Sequence, residues 1–381
     1  MPLSLLERIA AGDARAVDEC FEHYGGLNQP DPISAAMLRN GALGLAGYAA
    51  SELLEVHPHL KQALATHAFS NWQGVLRSCV EELGAALAAG RPQFFAGHVG
   101  WLQSLLTARG LPPTAVPCAM GCLAKVLAAE LPAESGSRAA AVCQDAVRTL
   151  DGPVPELPSF LQANMPHGRL AASYLLALLE GDRARASRLI MQAAATGSTV
   201  PELCLQVLLP AQQEVGRMWQ TDEINVAEEH FATSTTRMII AQLRLHAPMR
   251  QPNGKTVLAA SVMGNQHDIG LQVVADFFEM DGWKVVHLGS DMPIPDLVQA
   301  VESYQPDLLA LSVSLHAQLV TLTETIRAVR GVEHGAGVKV LVGGRAFAEA
   351  PDLAPSLGAD GYAADPLAAV AQGNLLVGTP A

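Results

Sequence analysis

The chain has 381 residues, with 24 Lys and Arg against 37 Asp and Glu, a formal charge of −13. At about 150 residues per domain this length corresponds to two or three cores. A duplex-reading surface needs clustered basic residues to displace condensed counterions; neither half has such a cluster, so direct nucleic-acid binding is not expected. Half of the residues are hydrophobic but only 5% are aromatic, which argues against disorder over most of the length and suits closely packed helices. The longest charge-free stretch, Pro92 to Ala108, is interrupted by Gln93, His98, Gln103 and Ser104, so no membrane span is expected. The N-terminus lacks the basic and apolar regions of a signal peptide. The six cysteines, at 20, 79, 118, 122, 143 and 204, have neither zinc-site nor disulfide-framework spacing. A cytoplasmic location is expected.

Residues 1–155 read as an all-α domain of six or seven helices, with apolar residues at three- and four-residue spacing, as in Leu76, Val80, Leu83 and Leu87. Three prolines between Asp151 and Pro158 predict a linker. Residues 166–247 are long enough for a four-helix block. Its last helix should start at Asn225, whose side chain stands three residues before Glu228 in a capping pattern. After a second linker, Pro248 to Gly254, the period changes. β-rich runs at Thr256–Val262, Lys284–Leu288, Leu308–Val313 and Lys339–Val342, with a weaker one around Tyr362, alternate with helix-length segments. That alternation over residues 255–375 predicts a flavodoxin-like, doubly wound parallel sheet with ligands beyond the carboxyl ends of its strands.

The first of these strands is followed by Gly264-Asn265-Gln266-His267-Asp268-Ile269-Gly270. A Gly-rich turn could cradle phosphate, but GxGxxG is absent and a histidine sits at the loop centre. Together with Ser312-Val313-Ser314 after the third strand and Gly343-Gly344 after the fourth, this loop resembles the cobalamin-binding domain family. That family's signature is Asp-x-His-x-x-Gly, then Ser-x-Leu, then Gly-Gly. The resemblance implies that His267 supplies the lower axial ligand to cobalt and that the small residues make room for the displaced nucleotide tail. It implies that Ser312 completes a hydrogen-bonded relay behind the histidine. Two positions depart from the pattern. Asn265 replaces the aspartate, removing the charge that would raise imidazole basicity, and Ser314 replaces the leucine.

The helical block carries Trp219, nine intervening residues, and Glu229-His230. Taken alone these read as a core tryptophan and a solvated pair. Their spacing resembles the cap of adenosylcobalamin-dependent photoreceptors. The resemblance implies that Trp219 packs on the adenosyl group, that Glu229 contacts it, and that His230 takes the upper cobalt site once light breaks the Co–C bond. Val226, one turn before His230, falls on the same helical face.

The repressors of that photoreceptor family begin with a basic helix-turn-helix domain, which the acidic N-terminal region here does not match. With Trp72, Phe94, His98 and Trp101, the region is similar to globin-like sensor domains such as those of the photocobilins, which implies a bilin such as biliverdin as a second chromophore. A helical dimerisation or docking module is the alternative. The leading expectation is a non-enzymatic light sensor that signals through domain rearrangement, a homo-oligomer or a protein partner. The alternatives are a corrinoid shuttle protein of a methyltransferase system and a cobalamin-binding antirepressor.

Overall fold

The computed structural model describes residues 27–63, 67–150, 157–162 and 164–378. The chain divides into two compact units, Met1–Glu156 and Leu157–Ala381. The predicted linker at 151–158 lies outside the described residues as far as Glu156, as does Cys20.

The described part of the first unit is all helical: α1 (Pro32–Val56), α2 (His59–Ala63), α3 (Ala68–Ala89), α4 (Pro92–Ala108), α5 (Ala115–Glu130) and α6 (Ala133–Arg148). Asp31 caps α1 by accepting the Ser34 N–H at 2.9 Å. Gly90, in the left-handed region at φ 63°, ends α3. Leu76, Val80, Leu83 and Leu87 are all buried, so the apolar spacing is a packing face. Trp72 and Phe94 belong to the same core. His98 is half-buried, with Nε2 3.7 Å from the Cys79 sulfur, and stacks on Trp101 at 5.8 Å between ring centroids. An all-α architecture of this kind does not by itself identify a globin-like sensor.

The second unit begins with a helical cap: α7 (Gly168–Leu179), α8 (Arg183–Ala195), α9 (Val200–Leu203), α10 (Leu209–Gln220) and α11 (Val226–Arg244). A π-helical turn, Cys204–Leu208, joins α9 to α10. Its cause is local: Pro210 has no N–H to give to the preceding turn, and Leu209 donates instead to the Cys204 carbonyl five residues back. Asn225 and Glu228 form the reciprocal capping box at the start of α11. Tyr174, wholly buried, anchors α7 to α11 through a 2.7 Å hydrogen bond between its hydroxyl and that of Thr236.

The remaining elements are β1 (Thr256–Val262), α12 (Ile269–Met280), β2 (Lys284–Met292), α13 (Ile294–Tyr304), β3 (Leu308–Ser312), α14 (Gln318–Arg330), β4 (Lys339–Gly343), α15 (Leu353–Ser356), β5 (Gly361–Ala363) and α16 (Pro366–Val377). All strand pairs are parallel, in the order β2-β1-β3-β4-β5. Strand β1 is central, and six of its seven residues are buried, because helices cover both faces. The strand order reverses between β1 and β3, so the ligand crevice of such a sheet opens beyond Val262 and Ser312. Val273 and Phe277 of α12 join Tyr174, Ile190, Val207, Ile239 and Leu243 in one apolar cluster, so cap and sheet share a core. Among the described residues no helix is long and apolar enough to cross a membrane.

Candidate functional site

The loop after β1 lies at this switch point. A turn closes it, with the Asn265 N–H donating to the Val262 carbonyl at 3.0 Å. Asn265 is wholly buried while His267 is exposed. The Asn265 Oδ1 accepts the His267 backbone N–H at 3.1 Å and faces the ring Nδ1 at 3.3 Å; its Nδ2 donates to the Ser312 carbonyl at 3.1 Å. Asparagine suits this position physically, since it has an acceptor on one side and a donor on the other. The relay behind the histidine therefore uses the backbone oxygen of Ser312. With Nδ1 facing Asn265, Nε2 is the nitrogen left to a ligand.

Apolar side chains flank the loop. Met263, following β1, is 44% exposed, and Leu315, following β3, is 48% exposed. The glycines fall into two kinds. A Cβ on Gly264 or Gly270 would meet nothing within 4 Å, whereas one on Gly343 would lie 2.9 Å from the Ala363 carbonyl oxygen and one on Gly344 2.3 Å from that of Val313. Gly264 and Gly270 thus border open space. Gly343 and Gly344 are instead required by close backbone approach. Val313 is buried in the sheet core, and Ser314 donates its N–H to the Gln318 Oε1 at 3.0 Å.

Two further side chains, which motif reading missed, hold the loop. Gln318, 6% exposed, donates from Nε2 to the Gly264 carbonyl at 2.9 Å, while its Oε1 accepts from the Ser314 and Leu315 N–H groups. Asp291, at the end of β2, accepts the Gly264 N–H at 2.7 Å and a Gln266 Nε2–H at 2.9 Å.

Asp268 is paired with Arg237 of α11. Seven residues further along, Arg244 pairs with Glu279 and lies 4.0 Å from Asp276 on α12. The two helices therefore run in the same direction. His230 precedes Arg237 by seven residues, so it shares that helix stripe and stands about 10 Å beyond it along the axis, past the start of α12. His230 is 75% exposed at its side chain, with Nδ1 2.5 Å from the Glu229 Oε2, and the other Glu229 oxygen accepts from the Thr233 hydroxyl at 2.6 Å. Val226 is 55% exposed. Trp219, half-buried against the cap core, lies in the last turn of α10. The turn between Trp219 and Val226 is fixed by Arg217, which donates to Glu214 at 2.9 Å and to Glu223 at 2.7 Å.

Burial dominates the electrostatics nearby. It raises the Asp276 carboxyl to about 6, against the attraction of Arg244, and pushes the neighbouring Cys204 thiol up to about 12. It also lowers His287, which senses Asp268 and Arg237, and His316, beside Glu349 and Arg345.

An exposed imidazole with one nitrogen fixed, apolar ledges on both sides and open space beside the loop fit a flat corrin with an empty axial position. The comparisons agree. Residues 255–371 and residues 170–244 each match a family model described as a B12 binding domain. The chain is 25% identical over 189 residues to trimethylamine corrinoid protein 1 of Methanosarcina mazei, covering 49% of this chain and 87% of that protein. It is 33% identical over 134 residues to the HTH-type transcriptional repressor CarA of Myxococcus xanthus, covering 35% of this chain and 43% of that protein. Among solved structures it is similar to the monomethylamine corrinoid protein of Methanosarcina barkeri, with a TM-score of 0.47 and 16% identity over 54% of this chain and 98% of that one. A repressor among the relatives leaves the expectation of no nucleic-acid partner resting on charge alone. With the two models matched in succession, the chain belongs to the B12-binding domain family and is a cobalamin-binding protein.

Proposed function

We propose that the protein is a corrinoid carrier of a methyl-transfer system, in which His267 holds cobalamin from below and the helical cap controls access from above. The observation that carries this is the exposed His267 ring, aligned through Nδ1 on buried Asn265 at the switch point of the sheet. The similarity to corrinoid proteins over both matched domains supports it. Cobalamin, when bound, would supply a cobalt centre able to carry a methyl group. The chain's own residues bind and orient it. His267 donates Nε2, and Asn265, accepting from the imidazole without a full charge, makes that nitrogen a moderate donor. Open space beside Gly264 and Gly270 receives the nucleotide tail, and Met263 and Leu315 cover the ring edge. The acidic N-terminal unit serves docking or self-association, and the bilin reading of Trp72, Phe94, His98 and Trp101 rests on resemblance alone.

A second reading is favoured by one observation. His230 is exposed at the overhanging end of α11, with its Nδ1 fixed by Glu229, and its distance in sequence from Trp219 resembles that of the adenosylcobalamin photoreceptors. In that reading Trp219 would pack against the adenosyl group and His230 would be the side chain available to hold cobalt once that group is lost.

One experiment separates the two. The full chain is loaded in darkness with methylcobalamin or adenosylcobalamin, and spectra are recorded before and after green light. A carrier binds methylcobalamin at least as tightly and gives no stable product that depends on His230. A lasting bis-histidine adduct that forms only with adenosylcobalamin and is lost in His230→Ala establishes the sensor. An unchanged spectrum in His267→Ala would refute His267 as the lower ligand in both.

A further inference from the structure

The pairing of β1 with β2 is irregular in a way that serves the histidine loop. Ala259 pairs with His287, Ala260 with Gly289 and Val262 with Met292, so β2 carries two extra residues relative to β1. Bulges of this kind bend a strand and re-aim its side chains. Gly289 absorbs the first at φ 86°. The second falls on Asp291 at φ 53°, a backbone conformation that non-glycine residues seldom adopt. Such a residue persists where its surroundings over-determine it, and here they do. Asp291 makes three bonds to three consecutive residues: Oδ1 accepts from Gly264 N–H, Oδ2 accepts from Gln266, and its own N–H donates to the Asn265 carbonyl at 3.0 Å. These are the three residues immediately before His267. None of these three bonds is to His267 itself.

We propose that Asp291 is a positioning residue for the cobalt ligand: reaching across from the bulged end of β2, it locks Gly264–Gln266 and so aims the His267 imidazole. The inference rests on the reading of His267 as the lower ligand. Its logic is mechanical. The ring is oriented by the Asn265 side chain, that side chain is placed by the Asn265 backbone, and the Asn265 carbonyl and both its neighbours are held by Asp291. Gln318, the first residue of α14, holds the Gly264 carbonyl from the β3 side, so the loop is held on both sides of β1. Bonds to the Asp291 carboxylate are charge-assisted and stronger than the neutral bond from Gln318.

The test uses the full chain saturated with cob(II)inamide, a corrinoid without a nucleotide base, so that any axial imidazole nitrogen comes from the protein. Electron paramagnetic resonance reads the ratio of nitrogen-ligated to unligated cobalt from its superhyperfine triplet. If the wild type shows no triplet, or His267→Ala keeps it, the reading of His267 fails. With that reading standing, Asp291→Gly is expected to bind cobinamide but to lower the ratio about tenfold, the effect of losing orienting charge-assisted bonds. Glycine adopts φ 53° freely, so full ligation in this variant would mean that the side chain has no role and would overturn the proposal. Asp291→Asn keeps an acceptor for Gly264 and, with the Gln266 amide turned over, the second bond; it should stay within about twofold of the wild type. Gln266→Ala, at an exposed position, removes one of the two carboxylate bonds without threatening the fold. It should lower the ratio about threefold, and undiminished ligation there equally counts against the proposal.

Discussion

Arg237 of the cap is paired with Asp268, the residue that follows His267. The helix that overhangs the site is thereby tied to the loop beneath it, and Arg244 repeats the tie seven residues later on Glu279. Both Arg237 and Arg244 are partly exposed, so each pair contributes at most about 1 kcal/mol to stability. Their effect is on registry between cap and sheet. Arg237→Ala is expected to leave the melting temperature nearly unchanged while amide exchange at the start of α11 quickens about fivefold. Exchange at Ile239 and Leu243, which are packed in the shared core, should not change.

Asn265 sits between a donor group on His267 and the acceptor carbonyl of Ser312. Asn265→Asp would set a carboxylate against that carbonyl at a wholly buried position. Burial and the facing oxygen raise the pKa of the introduced carboxyl in the folded state, so stability is lost as pH rises through that value. The ligand-free variant is expected to be about 1–3 kcal/mol less stable than wild type at pH 8 and nearly equal to it at pH 3.5, measured by urea unfolding at both.

Gly344 has φ 104°, and a Cβ there would approach the Val313 carbonyl oxygen to 2.3 Å. The backbone cannot yield easily, because the Ala346 N–H donates to that same oxygen and the Val313 N–H donates to Gly343. Gly344→Ala is expected to cost about 3 kcal/mol or more. Gly270→Ala, in the first turn of α12 beside open space, should stabilise the ligand-free chain by about 0.5–1 kcal/mol and weaken cobalamin binding by filling the slot. Denaturation midpoints and a cobalamin titration check both.

Asp276 is raised from 3.8 to about 6 by burial, with Glu279 adding to the shift and Arg244 opposing it. Between these values the folded state keeps a proton that the unfolded chain has lost, so stability falls as pH rises through this window and stays lower above it. Two pH units correspond to about 3 kcal/mol. Asp276→Asn is expected to be more stable than wild type by about 2–3 kcal/mol at pH 8 and indistinguishable from it at pH 3.5, by thermal or urea unfolding.

The parallel sheet was legible because alternating β-rich and helical runs carry their own periods, and the start of α11 because Asn225 and Glu228 lie within one helical turn. The proximity of Asn265 to His267 was legible for the same reason. Asp291 and Gln318 were not, since they reach the loop across 27 and 54 positions of sequence. The run read as Lys284–Leu288 stopped short of the observed end at Met292, and no local pattern announces two bulges in it. The glycines at 343 and 344 were visible in the sequence, but only the fold shows how closely the backbone of Ala363 and Val313 approaches them.

Val273 and Phe277 belong by sequence to the sheet and by packing to the cap. For protein engineering, the cap is therefore not an interchangeable part ending at the Pro248–Gly254 connector. A chimaera that imports a foreign cap would inherit mismatched side chains on α12, and only grafts that carry the matching face of that helix along with the cap should yield a well-ordered hybrid.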